Sequence, residues 1–79
     1  MKAGDSCITP DGIGTIAHFE VYGPLEIKEN TPPYFTDEAD PNMPEGWFVR
    51  AGVTGCHPTL DVAYYPLDQI NPIPKGDPQ

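Results

Sequence analysis

The chain has 79 residues and a formal net charge of −8, from 12 acidic against 4 basic side chains. A chain of this size buries roughly 60% of its extended surface on folding, which allows one small core and no second domain. Eleven prolines and eight glycines leave little room for helices of ordinary length, and no apolar run approaches the about 20 residues that span a bilayer.

The first segment carries the clearest signal. Ser6-Cys7-Ile8-Thr9 and Thr15 to Val21 are rich in β-branched and apolar residues and flank Pro10-Asp11-Gly12. Proline presets the first corner of a turn and glycine accepts a positive φ, so the pattern predicts a β-hairpin with Cys7 and Ile16 facing inward. A second turn is expected at Tyr22-Gly23-Pro24. Leu25-Glu26-Ile27-Lys28-Glu29 then alternates apolar and charged residues, which predicts a strand with Leu25 and Ile27 on the core side. Residues 30–46 differ in character. Pro32, Pro33, Pro41 and Pro44 cannot donate ladder hydrogen bonds, and Asp37, Glu38, Asp40 and Glu45 add four negative charges. A long acidic loop is expected there, and loops of that length are functional or disordered.

Trp47 to Thr54, aromatic and β-branched, reads as the strongest strand. Gly55 to Thr59 is a turn, and Asp61 to Tyr65 returns as a strand broken by Pro66. Leu67 and Ile70, three apart, mark a single helical turn, and Asn71 to Pro74 reads as a short closing strand. Residues 1–74 thus form one domain, with 75–79 as a frayed tail. Five or six short strands with regular turn signals predict an all-β fold, an antiparallel barrel whose closure hides its edges.

Gly4-Asp5, Cys7, Thr9-Pro10-Asp11-Gly12 and Gly14-Thr15-Ile16 resemble the opening of KOW-like and Src-homology-3-like small barrels. Ala63 to Ile73 is similar to their last strand, helical turn and closing strand, whereas the middle of the chain does not match. Small proteins of bacteriophages and prophages often carry this arrangement. The resemblance implies a five- to six-stranded Src-homology-3-like barrel with one short helical turn, and leaves function open because such barrels host unrelated tasks. The nucleic-acid-binding members are basic. Here only Lys2, Lys28, Arg50 and Lys75 are available for phosphates, so direct nucleic-acid binding is disfavoured.

Cys7, His18, Cys56 and His57 lack the ligand spacing of a zinc site. Asp37, Asp40, Asn42 and Glu45 lack the sharp mid-loop glycine of a calcium loop. No metal or cofactor is expected. Cys7 and Cys56 are compatible with two free thiols or one disulfide. Adjacent Cys56 and His57 do not make a nucleophile pair, and no phosphate-cradling glycine loop or serine elbow occurs, so no enzyme is expected.

Tyr22, Tyr34, Phe35, Trp47, Phe48, Tyr64 and Tyr65 are many aromatics for so small a core. Alternation within Trp47-Phe48 and Tyr64-Tyr65 sends one ring of each pair inward and one outward. Either the acidic loop folds over the exposed rings with Tyr34 and Phe35 as pins, or the rings form a recognition surface. The second reading gives a non-enzymatic protein-binding module with contacts Tyr34, Phe35, Asp37, Glu38, Asp40, Glu45 and Trp47. Its partner is a larger protein with a basic surface, such as a nucleic-acid-handling host enzyme that the module assists or inhibits. The alternatives are a structural subunit or virion component, a Pro-rich-peptide reader, and a nucleic-acid-binding barrel. Met1 to Asp5 has no apolar secretory core, and a cytoplasmic location is expected, in the host if the protein is phage-encoded.

Overall fold

Thr9 opens the first turn as its chemistry requires. Its Oγ1 donates to the Gly12 carbonyl at 2.8 Å and accepts the Asp11 N–H at 3.1 Å, while Gly12 takes φ 132°. The hairpin so closed joins β1 (Ser6–Thr9) to β2 (Gly12–Tyr22). The computed structural model describes residues 1–40 and 42–73. Beyond the hairpin it contains α1 (Pro24–Glu29), β3 (Tyr34–Thr36), β4 (Phe48–Thr54), β5 (Val62–Pro66), a 3₁₀ turn (Leu67–Gln69) and β6 (Asn71–Pro72). The expected tail, 75–79, and Pro74 of the expected closing strand lie outside the described residues.

All six strands belong to one antiparallel sheet in the order β5-β4-β2-β1-β6, with β3 paired to β2. β2 is the spine. Its first part pairs with β1, while Thr15 to Tyr22 pair with β4 and Phe19 to Val21 also pair with β3. A bulge between Ile16 and His18 lets Ile16 and Phe19, three residues apart, face the same side. Both are fully buried with Cys7 and Val53, and Ala39, Val49, Ala51, Ala63, Tyr65 and Ile70 complete the core. Gly14 sits where β2 meets β4 most closely. A Cβ there would stand 2.5 Å from the Thr54 carbonyl oxygen and 2.6 Å from Val53 Cγ1, so only glycine fits.

Three expectations are corrected. The barrel is not closed: among the described residues no ladder joins β5 to β6. Each carries a proline, Pro66 or Pro72, that has no N–H for a closing ladder, and β6 spans only two residues. Short, proline-bearing edges protect the open sheet instead.

The expected strand at Leu25 to Glu29 is a helix. Pro24 stands at its first turn, the Glu26 carboxylate accepts the Gly23 N–H at 2.9 Å, and Asn30 ends it in the left-handed region with φ 56°. Leu25 and Ile27 are accordingly exposed, at 60% and 51%. The Gly-Pro-x-Glu helix start was legible in the sequence; the alternation of five residues masked it.

Segment 30–46 is not one loose loop. β3 lies within it, and the stretch after β3 is stitched to the N-terminus. Ala3 N–H donates to the Asp37 carbonyl at 2.8 Å, Ala39 N–H donates to the Met1 carbonyl at 3.0 Å, and Ala39 is buried. No described helix is long and apolar enough to cross a membrane.

Candidate functional site

The pleat that sends Phe19, Ala51 and Tyr65 into the core sends their neighbours to the opposite face. His18, Gly52 and Tyr64 stand in register there, as do Glu20 with Arg50 and Tyr22 with Phe48, and Phe35 pairs with Glu20 from β3. Gly52 leaves a gap. A Cβ on it would reach 3.0 Å from Tyr64 Cε2 and 3.2 Å from His18 Nε2, and over this gap His18 Nε2 meets the Tyr64 hydroxyl at 2.7 Å. Ring contacts cross the whole face. Phe35 lies edge-on to His18 at 5.5 Å, and His18 lies 5.5 Å from Tyr64. Arg50 Cζ stands 5.1 Å above Tyr64 and 5.7 Å from Tyr22, and Tyr22 lies 5.9 Å from Phe48.

At its centre Arg50 donates from Nε to Glu20 Oε1 at 2.9 Å, from Nη2 to the same oxygen, and from Nη2 to the Tyr22 hydroxyl at 3.3 Å. Burial works against the Arg50 charge, but the hydrogen bond and charge of Glu20 outweigh it and hold the guanidinium pKa above its ordinary value. Burial, followed by the Glu20 charge, pushes the Tyr64 phenol up.

Two grooves flank Phe48. One of about 350 Å³ lies between α1 and the outer face, lined by Tyr22, Glu26, Ile27 and Arg50. The other, about 410 Å³, is lined by Met43, Trp47, Pro66, Leu67 and Asp68.

The residues singled out from the sequence divide between three places. Phe35 joins the outer face, while Tyr34, opposite Val21, points the other way. Both are exposed, at 59% and 65% for Tyr34 and Phe35, so neither acts as a pin that folds a loop over other rings. Asp37, Glu38 and Asp40 are exposed on the stretch stitched to Met1 and Ala3, with Asp40 Oδ1 accepting the Asn42 N–H at 2.9 Å. Glu45 and Trp47 belong to the turn entering β4. Trp47 lies outside the strand and packs on Gly23, where a Cβ would approach its ring to 3.2 Å. Trp47 and Phe48 therefore remain 39% and 41% exposed, and the expected in-out division fails because only Phe48 follows the pleat. Glu20, Arg50 and His18 were not singled out as site residues. The available signal was the period-two set His18-x-Glu20-x-Tyr22 facing Phe48-x-Arg50-x-Gly52.

Elsewhere the polar side chains satisfy one another. The buried Tyr65 hydroxyl donates to Asp11 Oδ2 at 2.7 Å and contacts Cys56 Sγ at 3.4 Å; burial and then these bonds drive its pKa up. His57 Nδ1 accepts the Thr59 and Leu60 N–H groups, so that nitrogen caps its own turn. Among the described residues no group of three or more His, Cys, Asp or Glu is placed to hold a metal ion. The chain matches no protein-family model, no curated protein and no solved structure.

Proposed function

We propose that this protein is a non-enzymatic protein-binding module that docks Asp37, Glu38 and Asp40 on a basic surface of a larger protein, with Tyr34 and Phe35 gripping it from the two faces of β3. One observation carries the reading. The stretch after β3 is held by backbone hydrogen bonds to Met1 and Ala3 and by burial of Ala39, so its carboxylates stand beside two exposed rings on ordered backbone. Groups ordered before binding lose less entropy on docking than a loose loop does. The net charge of −8 steers the encounter toward a basic partner and sets its register. A nucleic-acid-handling enzyme is the partner class that fits, because its basic groove accepts anionic groups. The module then acts as accessory or inhibitor in the cytoplasm of a phage host, and the resemblance to Src-homology-3-like and KOW-like proteins belongs to this same reading.

The ring-lined outer face favours a second reading, a small structural subunit that uses Phe35 and Phe48 in a permanent interface. Self-association on sizing would favour it.

The test is affinity capture from a host lysate with the parent protein and with the triple variant Asp37→Lys, Glu38→Lys, Asp40→Lys. A partner retained at low salt, released at high salt and lost with a triple variant that melts like the parent supports docking. Capture indifferent to charge reversal overturns it.

A further inference from the structure

We propose that Cys7 and Cys56 are a redox pair that a disulfide oxidant converts reversibly into an intramolecular bridge. Both are free thiols in this structure. The sheet register brings them together. Cys7 on β1 faces Gly14 on β2, and cross-strand partners carry their Cβ atoms about 4.5–5.5 Å apart on one face. Gly14 has no side chain, and the place where its Cβ would stand lies 3.2 Å from Cys56 Cβ. Cys56 therefore stands, with Val53 Cγ1 and the Thr54 carbonyl, against the place opposite Cys7, and packs against the core cluster that contains Cys7. The proximity is felt electrostatically too, since burial first and Cys56 second push the Cys7 thiol pKa up.

The segment bearing Cys56 can make the small approach that a disulfide needs. It lies between β4 and β5 outside any ladder, and next to it Gly55, at φ 85°, has nothing within 4 Å of its Cβ position. Access fixes the order of events: Cys56 is half-buried, whereas Cys7 is fully buried. The Cys56 thiolate attacks a sulfur of glutathione disulfide, whose S–S bond breaks to release one glutathione thiolate. The Cys7 thiolate then attacks Cys56 Sγ and displaces the second glutathione. The protein loses two electrons and two protons, and the oxidant becomes two glutathione molecules. The new bond ties β1 to the β4–β5 connection, two segments that share no ladder, and restricts the unfolded chain over a long loop.

The experiment incubates the intact protein with glutathione disulfide, unfolds and alkylates it, and weighs it before and after digestion. The expected product is lighter by two hydrogens, takes no alkyl group, yields a linked Cys7–Cys56 peptide, and melts on the order of 10 °C higher. Dithiothreitol reverses every change. The Cys7→Ser variant is expected to stop at a glutathione adduct on Cys56. A parent protein that ends as that same adduct, as a disulfide-linked dimer, or with both cysteines still open to alkylation overturns the proposal.

Discussion

Replacing Arg50 with methionine is expected to destabilise the protein more than replacing its partner Glu20 with glutamine, although both break the same ion pair. Glu20 is only 9% exposed. Orphaning one member of a fully buried pair costs about 3–5 kcal/mol. The Arg50 side chain is 34% exposed, so water screens part of that, and about 2 kcal/mol is the appropriate share. Loss of the guanidinium above Tyr64 and Tyr22 adds about 0.5–1 kcal/mol. The sum, about 2.5–3 kcal/mol, is a large fraction of the roughly 4–12 kcal/mol expected for a chain of this length, and corresponds to a fall in melting temperature of about 10–20 °C. Glu20→Gln leaves a guanidinium about a third exposed, which water solvates, and an amide oxygen that still accepts, so about 1 kcal/mol is lost. The double variant removes the orphaned charge and is expected to be more stable than Arg50→Met alone. Urea unfolding followed by Trp47 fluorescence measures all three. The reasoning is refuted if Arg50→Met costs no more than Glu20→Gln, or if the double variant loses the sum of the two single losses.

Two further predictions test the helix and the buried acids. Leu25→Asp places a carboxylate in the first turn of α1 at an exposed position, and is expected to change stability by no more than about 0.5 kcal/mol; a loss of the size seen for core truncations would restore Leu25 to the interior. Cys7, Tyr64 and Tyr65 all hold their protons more tightly in the folded state than at their ordinary values of 9.0, 10.0 and 10.0. Their contribution is therefore complete below about pH 9 and is lost as pH rises, by about 1.4 kcal/mol per pH unit for each group in its range. Unfolding midpoints measured from pH 8 to 11 are expected to be level and then fall. A midpoint that stays flat to pH 11 refutes the assignment.

The elements that sequence reasoning recovered share a property: a few adjacent residues specify them. Thr9 to Gly12 close their turn through their own hydroxyl, proline and glycine, and Leu67 with Ile70 mark one helical turn that ends against buried Ile70. Leu25 to Glu29 failed because five residues are too few to separate periods of 2 and 3.6, so the caps, Pro24 and Glu26, had to decide. Segment 30–46 was misjudged for another reason. Its order comes from partners distant in the chain, β2, Met1 and Ala3, which composition does not reveal.

The same division runs through the candidate site. Local chemistry alone determined that this is an acidic, proline-punctuated, antiparallel β-protein with more rings than its core can bury, because charge, turn residues and alternation are properties of neighbouring residues. Only the tertiary structure decided which rings meet. Strand register, not sequence distance, sets Arg50 between Glu20 and the rings of Tyr22 and Tyr64, lets His18 reach Tyr64 over Gly52, and lays Cys56 over Gly14 opposite Cys7. Register is a long-range quantity: a slip of one residue would turn each of these side chains to the other face.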